Sequence, residues 1–249
     1  MKDQEKRQGS SFIEKVKPLV FPFIYLALTI TLAISVFTAI KKRNYISIYI
    51  DGTSMQPTLN ENVNHHRDSA IGMDYYYETE YGYADSSKIA RDNIERFNVV
   101  ITYYPSDYID GKLKDKSDYK IKRVIAMPGE TFSIIQSVLN IKDAEGNITF
   151  TCDFADKENR PFEISRDDSR HQKDHAEYTL KDNEYWVLGD NWNVSSDSHS
   201  VGAIKTEYIA GVLVAVQGTC TLVNGVDKNG KSVSKFIDYH KYSKPRFFI

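Results

Sequence analysis

The sequence predicts a mostly β protein that is preceded by one transmembrane helix. Residues 18–40 form a run without charged side chains that is long enough to cross a bilayer. Several later segments alternate apolar and polar residues with the period of two that is typical of β-strands. Helical periodicity is scarce outside the apolar run, so the expected fold is an antiparallel barrel or a pair of packed sheets.

The apolar run reads PLVFPFIYLALTITLAISVFTAI, with Lys15 and Lys17 before it and a basic cluster at residues 41–43 after it. A helix rises about 1.5 Å per residue, so the run matches the ~30 Å hydrocarbon core of a bilayer. A cleaved signal peptide and a buried core helix are the alternatives. The run exceeds the ~7–15 apolar residues of a signal peptide, lacks a following A-x-A site and is not amphipathic, which favours a retained anchor.

Strand patterns recur through the rest of the chain. In YISIYI, Ile46, Ile48 and Ile50 fall on one face with period two. Pro-Gly and other tight turns separate later strands, three of which are typical of a β-meander. The predicted strands lie within residues 45–50, 97–105, 119–130, 131–135, 138–143, 147–154, 184–190 and 208–217. Two polar stretches interrupt them, at 60–96 and 155–182, and are predicted to be surface excursions or small subdomains.

Composition excludes some classes of function. The chain has 32 Lys+Arg against 34 Asp+Glu, and this balance gives no indication of a nucleic-acid partner. The histidines and cysteines are too scattered for a zinc site, so we expect no metal and no cofactor. Cys152 and Cys220 could form a disulfide or remain buried thiols, and their spacing does not decide between the two.

Ser54, in the stretch DGTSMQPTLN at 51–60, is a candidate nucleophile. Most stretches of this composition are ordinary turns, and a serine hydroxyl needs a neighbouring base to attack at neutral pH. Lys122 is the candidate base. Strand lysines are usually solvated, but one that points inward loses hydration and its pKa falls. The next residue, Arg123, faces the other side of the strand and can pair with an acid there.

A third stretch, VLGDNWNVSSDSHSVG at 187–202, follows a predicted strand. A serine in it could hold the lysine through a hydrogen bond, and an aspartate could bind a basic residue nearby. The alternative is an ordinary Asx- and Gly-rich surface loop.

The three stretches contain SMxPT, KRVIxxPGE and GDNx3SxDSx3G in the order in which bacterial type I signal peptidases carry them, after a membrane anchor. The chain therefore resembles this family of Ser/Lys proteases over roughly residues 15–217. The resemblance implies a signal-peptidase-like antiparallel β core with an inserted second β domain. The implied organisation is a cytoplasmic segment at 1–17, a transmembrane helix at 18–40, an extracellular catalytic core at 41–131 and 184–249, and a variable β subdomain at 132–183.

The resemblance also implies roles for individual residues. Ser54 matches the nucleophile, Lys122 the general base and Ser195 the serine that orients the lysine. Asp197 and Arg123 match a supporting charged pair. The other matched positions are the opening of the last motif, Gly189, Asp190 and Asn191, and the residues expected to bind small substrate side chains, Ile50, Gly52, Met55 and Ile121.

Three positions depart from the family pattern. His199 stands where an arginine is frequent, which weakens the expected pairing with Asp197. Asn98 stands where an aspartate is common. Gly52 lacks the hydroxyl that some members place in the oxyanion hole, so the main-chain N–H of Ser54 would carry more of that task.

The implied function is removal of N-terminal signal peptides from exported preproteins, with cleavage after alanine-like residues at −1 and −3. A single anchor, modest size and a lysine base favour a Gram-positive member of the cell membrane, with its N-terminus cytoplasmic and its catalytic domain extracellular. Its partners would be preproteins, pilin precursors among them, and the lipid bilayer, with no nucleic acid.

Two other functions remain as alternatives. One is a non-catalytic or specialised signal-peptidase-like assembly partner for pilus proteins. The retention of both Ser54 and Lys122 argues against it, because burying a lysine without a catalytic purpose costs desolvation energy. The other is a self-cleaving peptidase of the Ser/Lys repressor class, which the membrane span disfavours.

Overall fold

The computed structural model describes residues 20–39, 44–61, 75–90, 92–115, 117–167, 173–226 and 232–248. The predicted segment 1–17 and the basic cluster at 41–43 lie outside the described residues, as do residues 62–74 of the first polar stretch. The chain divides into two compact units, Met1–Asn44 and Tyr45–Ile249.

Helix α1, Val20–Ala39, is the described part of the first unit's apolar run. It agrees with the predicted helix at 18–40 and is long and apolar enough to cross a membrane. The hydroxyls of Thr29 and Thr31 donate to carbonyl oxygens four residues earlier in the helix. These two hydroxyls are thus satisfied within the helix itself, as an apolar surrounding requires.

The second unit is mostly antiparallel β-structure, which confirms the predicted fold class. Its short helices are α2 (Ser87–Ala90) and α3 (Ser198–Val201). Its strands in chain order are β1 (Tyr45–Ile50), β2 (Tyr75–Asp85), β3 (Val99–Thr102), β4 (Tyr108–Ile109), β5 (Lys112–Leu113), β6 (Lys120–Ala126), β7 (Thr131–Ile135), β8 (Val138–Lys142), β9 (Ile148–Asp153), β10 (His175–Thr179), β11 (Glu184–Leu188), β12 (Ile204–Lys205), β13 (Ile209–Val226) and β14 (Ser232–Phe247).

The main sheet has the strand order β1-β2-β13-β3-β6-β11-β12, and β14 pairs with β13. The long strand β13 curls this sheet. One of its edges bonds to β2, while the other bonds first to β3 and then to β14. Register shifts interrupt all three ladders, and such bulges increase the bend and twist of a strand.

The prediction of a surface excursion over residues 60–96 is wrong for the part that forms β2. This strand lies between β1 and β13, and Thr79, Glu80 and Ala84 on it are buried. The polar, tyrosine-rich sequence of β2 does not look like a buried strand. Its glutamate, Glu80, can be buried because residues of the distant strand β14 pair with the carboxylate. Tyr242 and Arg246 both donate to it.

The predicted meander forms the second sheet, in the order β10-β7-β8-β9. Gln136 and Ser137 join β7 to β8 with positive φ angles of 50° and 66°, as a type I′ hairpin turn requires. The Asp174 carboxylate accepts the main-chain N–H of both turn residues, at 2.9 and 3.1 Å. The strand β10 arises within the second polar stretch, which the sequence predicts to be a surface excursion or small subdomain inside the β insertion at 132–183.

Three apolar clusters fill the second unit. The first packs the second sheet against β6 and β11 and includes Phe132 and Trp186. The predicted insertion at 132–183 therefore shares a core with the main sheet, and its boundaries as a subdomain stay a prediction. The second cluster involves β1, β3 and β13, and the third includes Val100, Val124 and Val187.

Both cysteines are free thiols, which answers the question that their spacing left open. Cys152 is half-buried on β9 and Cys220 is buried on β13. Burial raises the pKa of each thiol to about 11, so both stay protonated and unreactive near neutral pH.

Candidate active site

Ser54 lies in the loop that follows β1, and contacts on both sides of it hold this loop. Met55 and Leu59 are buried in the second apolar cluster. Asn60 is fully buried, and its side-chain amide donates to the carbonyl of Gly52 at 3.1 Å. The loop is thus fixed before and after the serine, while Ser54 itself stays half-buried.

A polar network ties this loop to two distant strands. The N–H of Asn60 donates to Glu80 Oε2, and the N–H of Glu80 donates to Asn60 Oδ1, both at 2.8 Å. Arg246 of β14 donates to Glu80 at 2.5 Å and to the carbonyl of Thr58 at 2.7 Å. No sequence pattern singles out Asn60, Glu80 and Arg246, because residues so far apart in the chain carry no local signal of their pairing.

Lys122 sits within β6 and is 3% exposed. The register between β3 and β6 places it opposite Val100 and places Arg123 opposite Val99, so the two cations leave the strand on opposite faces. The Lys122 Nζ donates to Ser54 Oγ at 3.0 Å and to the carbonyl of Ile121 at 2.8 Å. The structure therefore brings together the serine and the lysine that the sequence singles out.

Burial lowers the pKa of Lys122 to about 8, from the ordinary lysine value of 10.5. The charges of Lys120 and Lys173 lower this pKa further, whereas Asp197 and Asp190 raise it. The two hydrogen-bond acceptors of the ammonium are neutral oxygens and not carboxylates. Lys122 therefore loses its proton near pH 8, far below an ordinary lysine, and the neutral form can remove a proton from a serine.

Arg123 pairs with Asp190, so the predicted pairing of Arg123 with Asp197 is wrong. Its Nε and Nη2 donate to the two carboxylate oxygens of Asp190 at 2.8 and 2.6 Å, a bidentate arrangement. It also donates to the carbonyl of Phe97 at 2.8 Å and lies 4.0 Å from the centre of the Phe162 ring. Two aspartates occur in the same loop, and spacing alone does not decide which one approaches β6.

The Gly-Asp-Asn motif after β11 lies against the serine loop. The N–H of Asn191 donates to the carbonyl of Ser54 at 3.0 Å, and its side-chain amide donates to the carbonyl of Thr53 at 3.1 Å. A Cβ at Gly189 would lie 2.5 Å from the Ser54 oxygen and 2.1 Å from Ser195 Oγ. The close approach of the two loops therefore requires glycine at this position, and Asn191 fixes the main chain of the serine.

Ser195 contacts this loop junction but does not bond to the lysine. Its hydroxyl is buried against Gly189 and has no hydrogen-bond partner among the residues that the structure describes. The hydrogen bond expected between Ser195 and Lys122 is thus not formed in this structure. The main-chain carbonyl of Ser195 instead accepts a hydrogen bond from Lys173 Nζ at 2.9 Å.

Asp197 is fully buried, and its charged partner is Lys173, which the sequence analysis did not single out. The Lys173 Nζ lies 3.1 Å from Asp197 Oδ2, and the lysine is 4% exposed. The Asp197 carboxylate also accepts the N–H of Gly189 at 3.0 Å and of His199 at 3.2 Å. Lys173 belongs to the charged stretch 155–182, where the pattern does not distinguish it from solvated lysines.

The positions that depart from the family pattern have local explanations. Gly52 has a φ of 83°, a conformation that glycine adopts without strain. The side chain of Asn98 accepts the main-chain N–H of a turn residue at 3.0 Å. Only the main chain of His199 reaches Asp197; its ring nitrogen Nε2 lies 3.2 Å from the carbonyl of Asp174 instead.

A cavity of about 460 Å³ opens beside Ser54 and Lys122, between the end of β1 and the start of β6. Of the residues predicted to bind substrate side chains, Gly52 and Ile121 line this cavity, whereas Ile50 and Met55 are buried in the second apolar cluster. The lining residues are Tyr49, Asp51, Gly52, Ser54, Asp118, Tyr119, Lys120, Ile121 and Lys122.

Tyr119 connects the two walls of the cavity. Its hydroxyl accepts the N–H of Tyr49 at 2.7 Å and donates to the carbonyl of the same residue at 2.9 Å. Because β1 is the end strand of the main sheet, these are edge groups that no neighbouring strand satisfies among the described residues. Burial raises the pKa of Tyr119, so the hydroxyl keeps its proton.

No group of three His, Cys, Asp or Glu side chains within the described ranges is arranged to hold a metal ion. The reactive groups at the cavity are a serine hydroxyl and a lysine amine in contact with each other. This pair can carry out proton transfer and nucleophilic attack with protein groups alone.

Comparison with known proteins places the sequence of this chain in one family. The sequence profile of the signal peptidase family, peptidase S26, matches residues 21–217. The chain belongs to this family, and its membership supports a signal-peptidase function with substrates that carry signal peptides.

Among solved structures, the chain is similar to a signal peptidase I from Enterococcus faecalis V583. The two share 23% identity with a TM-score of 0.33, over 48% of this chain and 96% of the other. That likeness is too low to transfer the roles of individual residues. No curated protein sequence matches the chain significantly.

Proposed function

We propose that the protein is a membrane-anchored serine endopeptidase that removes N-terminal signal peptides from exported preproteins. Ser54 is the nucleophile and Lys122 the general base, and cleavage follows small side chains at −1 and −3. The observation that carries the proposal is the 3.0 Å contact between Lys122 Nζ and Ser54 Oγ, made by a lysine that is 3% exposed.

In the first half of the reaction, neutral Lys122 accepts the hydroxyl proton while Ser54 Oγ attacks the scissile carbonyl carbon. The tetrahedral intermediate collapses as the C–N bond breaks, and the leaving amine takes the proton from the lysine ammonium. In the second half, the same lysine deprotonates a water that attacks the acyl-enzyme, and the proton returns to Ser54 as the ester bond breaks.

The oxyanion of each intermediate needs hydrogen-bond donors. Gly52 has no hydroxyl to offer, so we assign the main-chain N–H of Ser54 to this role. Asn191 supports it, because it holds the carbonyls of Ser54 and Thr53 through two hydrogen bonds and so fixes the direction of the main chain. A single misplaced donor costs about 10²–10³-fold in rate.

The substrate would occupy the cavity between β1 and β6. Gly52 leaves the main chain of the serine loop uncovered on one side, and Ile121 forms an apolar wall on the other. The preference for small residues at −1 and −3 stays a prediction from the family. The roles predicted for Ile50 and Met55 would then be indirect, through the packing of the loop that carries Ser54.

Helix α1 would tether the peptidase to the membrane that its substrates enter. Such a tether raises the effective concentration of enzyme and substrate without new contacts between them. This function requires the N-terminus in the cytoplasm and the catalytic unit outside the cell. Assignment to a Gram-positive bacterium stays a prediction from the single anchor and the lysine base.

The test is cleavage of a preprotein by the full-length chain in detergent or lipid, beside Ser54→Ala. We expect cleavage after a small residue in the wild type and a loss of at least about 10³-fold in the variant. The exposed Ser196 offers a matched control in the same site region. Ser196→Ala should keep its activity, and circular dichroism should show that all three proteins are folded.

A folded wild type that leaves a general preprotein intact would direct the assay to a pilin precursor as the second substrate. Cleavage of the pilin alone would define a specialised peptidase. If both substrates remain intact, the catalytic proposal fails, and a non-catalytic assembly partner for pilus proteins becomes the better description.

A further inference from the structure

We propose that Lys173 is a positioning residue for the Ser54–Lys122 pair, because it supplies the positive charge that balances Asp197 and holds the main chain of Ser195. The inference rests on the proposed function, since it concerns how Lys122 remains available as a base. Lys173 belongs to the predicted insertion, so this part of the chain would contribute to the site as well as to the fold.

Asp197 needs a cation because it is a buried anion. It is 0% exposed, and two main-chain N–H groups, from Gly189 and His199, donate to its carboxylate. A buried charge without a partner destabilises a protein by several kcal/mol. Lys173 is the cation in contact with it, at 3.1 Å.

The residue two positions after Asp197 does not supply this charge. The ring of His199 is directed towards the carbonyl of Asp174, and only the main chain of His199 contacts the aspartate. Lys173 reaches the aspartate from a different segment, immediately before β10. The structure thus replaces a local partner with a distant one, which explains why the departure at His199 does not leave Asp197 unpaired.

Among the described residues, the charged groups with the leading effects on the Lys122 pKa come from three segments, and Asp51 and Asp118, which line the same cavity, are not among them. Lys120 is on the same strand, Asp190 and Asp197 are in the loop after β11, and Lys173 precedes β10. Arg123 already neutralises Asp190 through the bidentate pair. The remaining balance is therefore between Asp197, which favours the protonated form of Lys122, and the two lysines, which favour the neutral form.

The experiment is the pH profile of preprotein cleavage for the full-length chain and Lys173→Met. Wild-type kcat/KM should rise through an acid limb near pH 8, because only neutral Lys122 accepts the Ser54 proton. Without Lys173, unbalanced Asp197 holds the proton on Lys122. The limb should then move up by about one pH unit, with about tenfold less activity at pH 7.

Further variants distinguish charge balance from a merely structural role. Asp197→Asn leaves Lys173 unbalanced and should move the limb to lower pH, and the double variant should return it towards the wild-type position. Lys173→Arg should keep the wild-type profile, whereas Lys205→Met, which removes a partly exposed lysine on β12, should not move it. If Lys173→Met fails to fold, Asp197→Asn and the double variant Lys173→Met/Asp197→Asn still test the direction in which the acid limb moves.

Titration of the Lys122 amine by NMR, with 13C-labelled lysine and Lys122→Arg to assign its signal, gives the same answer without turnover. A shifted Lys122 pKa in Lys173→Met, together with a wild type that cleaves nothing, would retain the charge relation and reject the peptidase. The opposite outcome is a wild type that cleaves, while neither Lys173→Met nor Asp197→Asn moves the acid limb or the amine titration. That result would overturn the role of Lys173 and leave the proposed peptidase function standing.

Discussion

The two lysines buried at the site, Lys122 and Lys173, are 3% and 4% exposed but have opposite partners. The Lys122 ammonium donates to a hydroxyl and a main-chain carbonyl. The Lys173 ammonium donates to a main-chain carbonyl and a carboxylate. Burial disfavours the charge at both positions, and only at Lys173 does an anion in direct contact offset it. Under the proposed function, burial alone would therefore not make a lysine a base; the absence of a contacting carboxylate would also be required.

The largest expected difference between the two lysines is in their response to arginine. Lys122→Arg should lower kcat/KM by at least about 10³-fold, because a guanidinium does not release its proton at any pH used for the assay. Lys173→Arg keeps the charge that Asp197 requires and should lose far less activity. The cleavage rate of one preprotein is measured for both variants. Equal losses of kcat/KM at the two positions would contradict the view that only Lys122 must release a proton.

The next largest effect concerns stability. Lys173→Met should lower the free energy of unfolding by about 3–5 kcal/mol, because it leaves the carboxylate of Asp197 buried without a cation. Urea unfolding of the full-length chain in detergent measures this change. Lys205→Met, which removes a partly exposed lysine, is the control. A loss below about 1 kcal/mol would show that the pair is not needed to hold the site.

The smallest effect has the opposite sign. Lys122→Met should raise the free energy of unfolding at pH 7 by about 1–3 kcal/mol, because it removes a buried charge whose contacts are neutral. The folded-state pKa is about 8 against 10.5 in the ordinary lysine, so the unfolded wild type binds more protons between these values. The free energy of unfolding of the wild type should thus increase relative to that of the variant as pH rises from 8 to 10.5.

Unfolding curves of wild type and Lys122→Met at pH 7 and pH 10 test this sign. The stability advantage of the variant should be present in full at pH 7 and mostly lost at pH 10. A variant that is less stable than wild type at pH 7 would show that the hydrogen bonds of Lys122 outweigh its desolvation, and that the lysine is held for structure.

Local patterns predicted the parts of the molecule that depend on neighbouring residues. Alternation identified β1 and the meander of β7 to β9, and these features need only the chemistry of adjacent residues. The contact between Ser54 and Lys122, 68 positions apart, was predicted from the family resemblance of their motifs. The opposed faces of Lys122 and Arg123 followed from strand geometry.

Long-range pairing was beyond the sequence. Asp190 and Asp197 are equivalent candidates for Arg123 until the loop is folded, and Lys173 is one of many charges in a polar stretch. β2 was missed because Glu80 looks like a solvent-facing residue until Arg246 is known to cover it. In each case a buried polar group has its partner in a remote segment, and periodicity contains no information about that partner.

The hydroxyl of Tyr119 has one further consequence, which concerns other copies of the chain. An end strand with unpaired N–H and C=O groups is a template for intermolecular β-pairing and aggregation. Tyr119 occupies both groups of Tyr49 at once, and so removes this one residue of β1 from those with which another chain could pair. The cavity beside Asp51 and Gly52 lies next to this blocked position, so strand pairing between chains is hindered at Tyr49 while the cavity stays open.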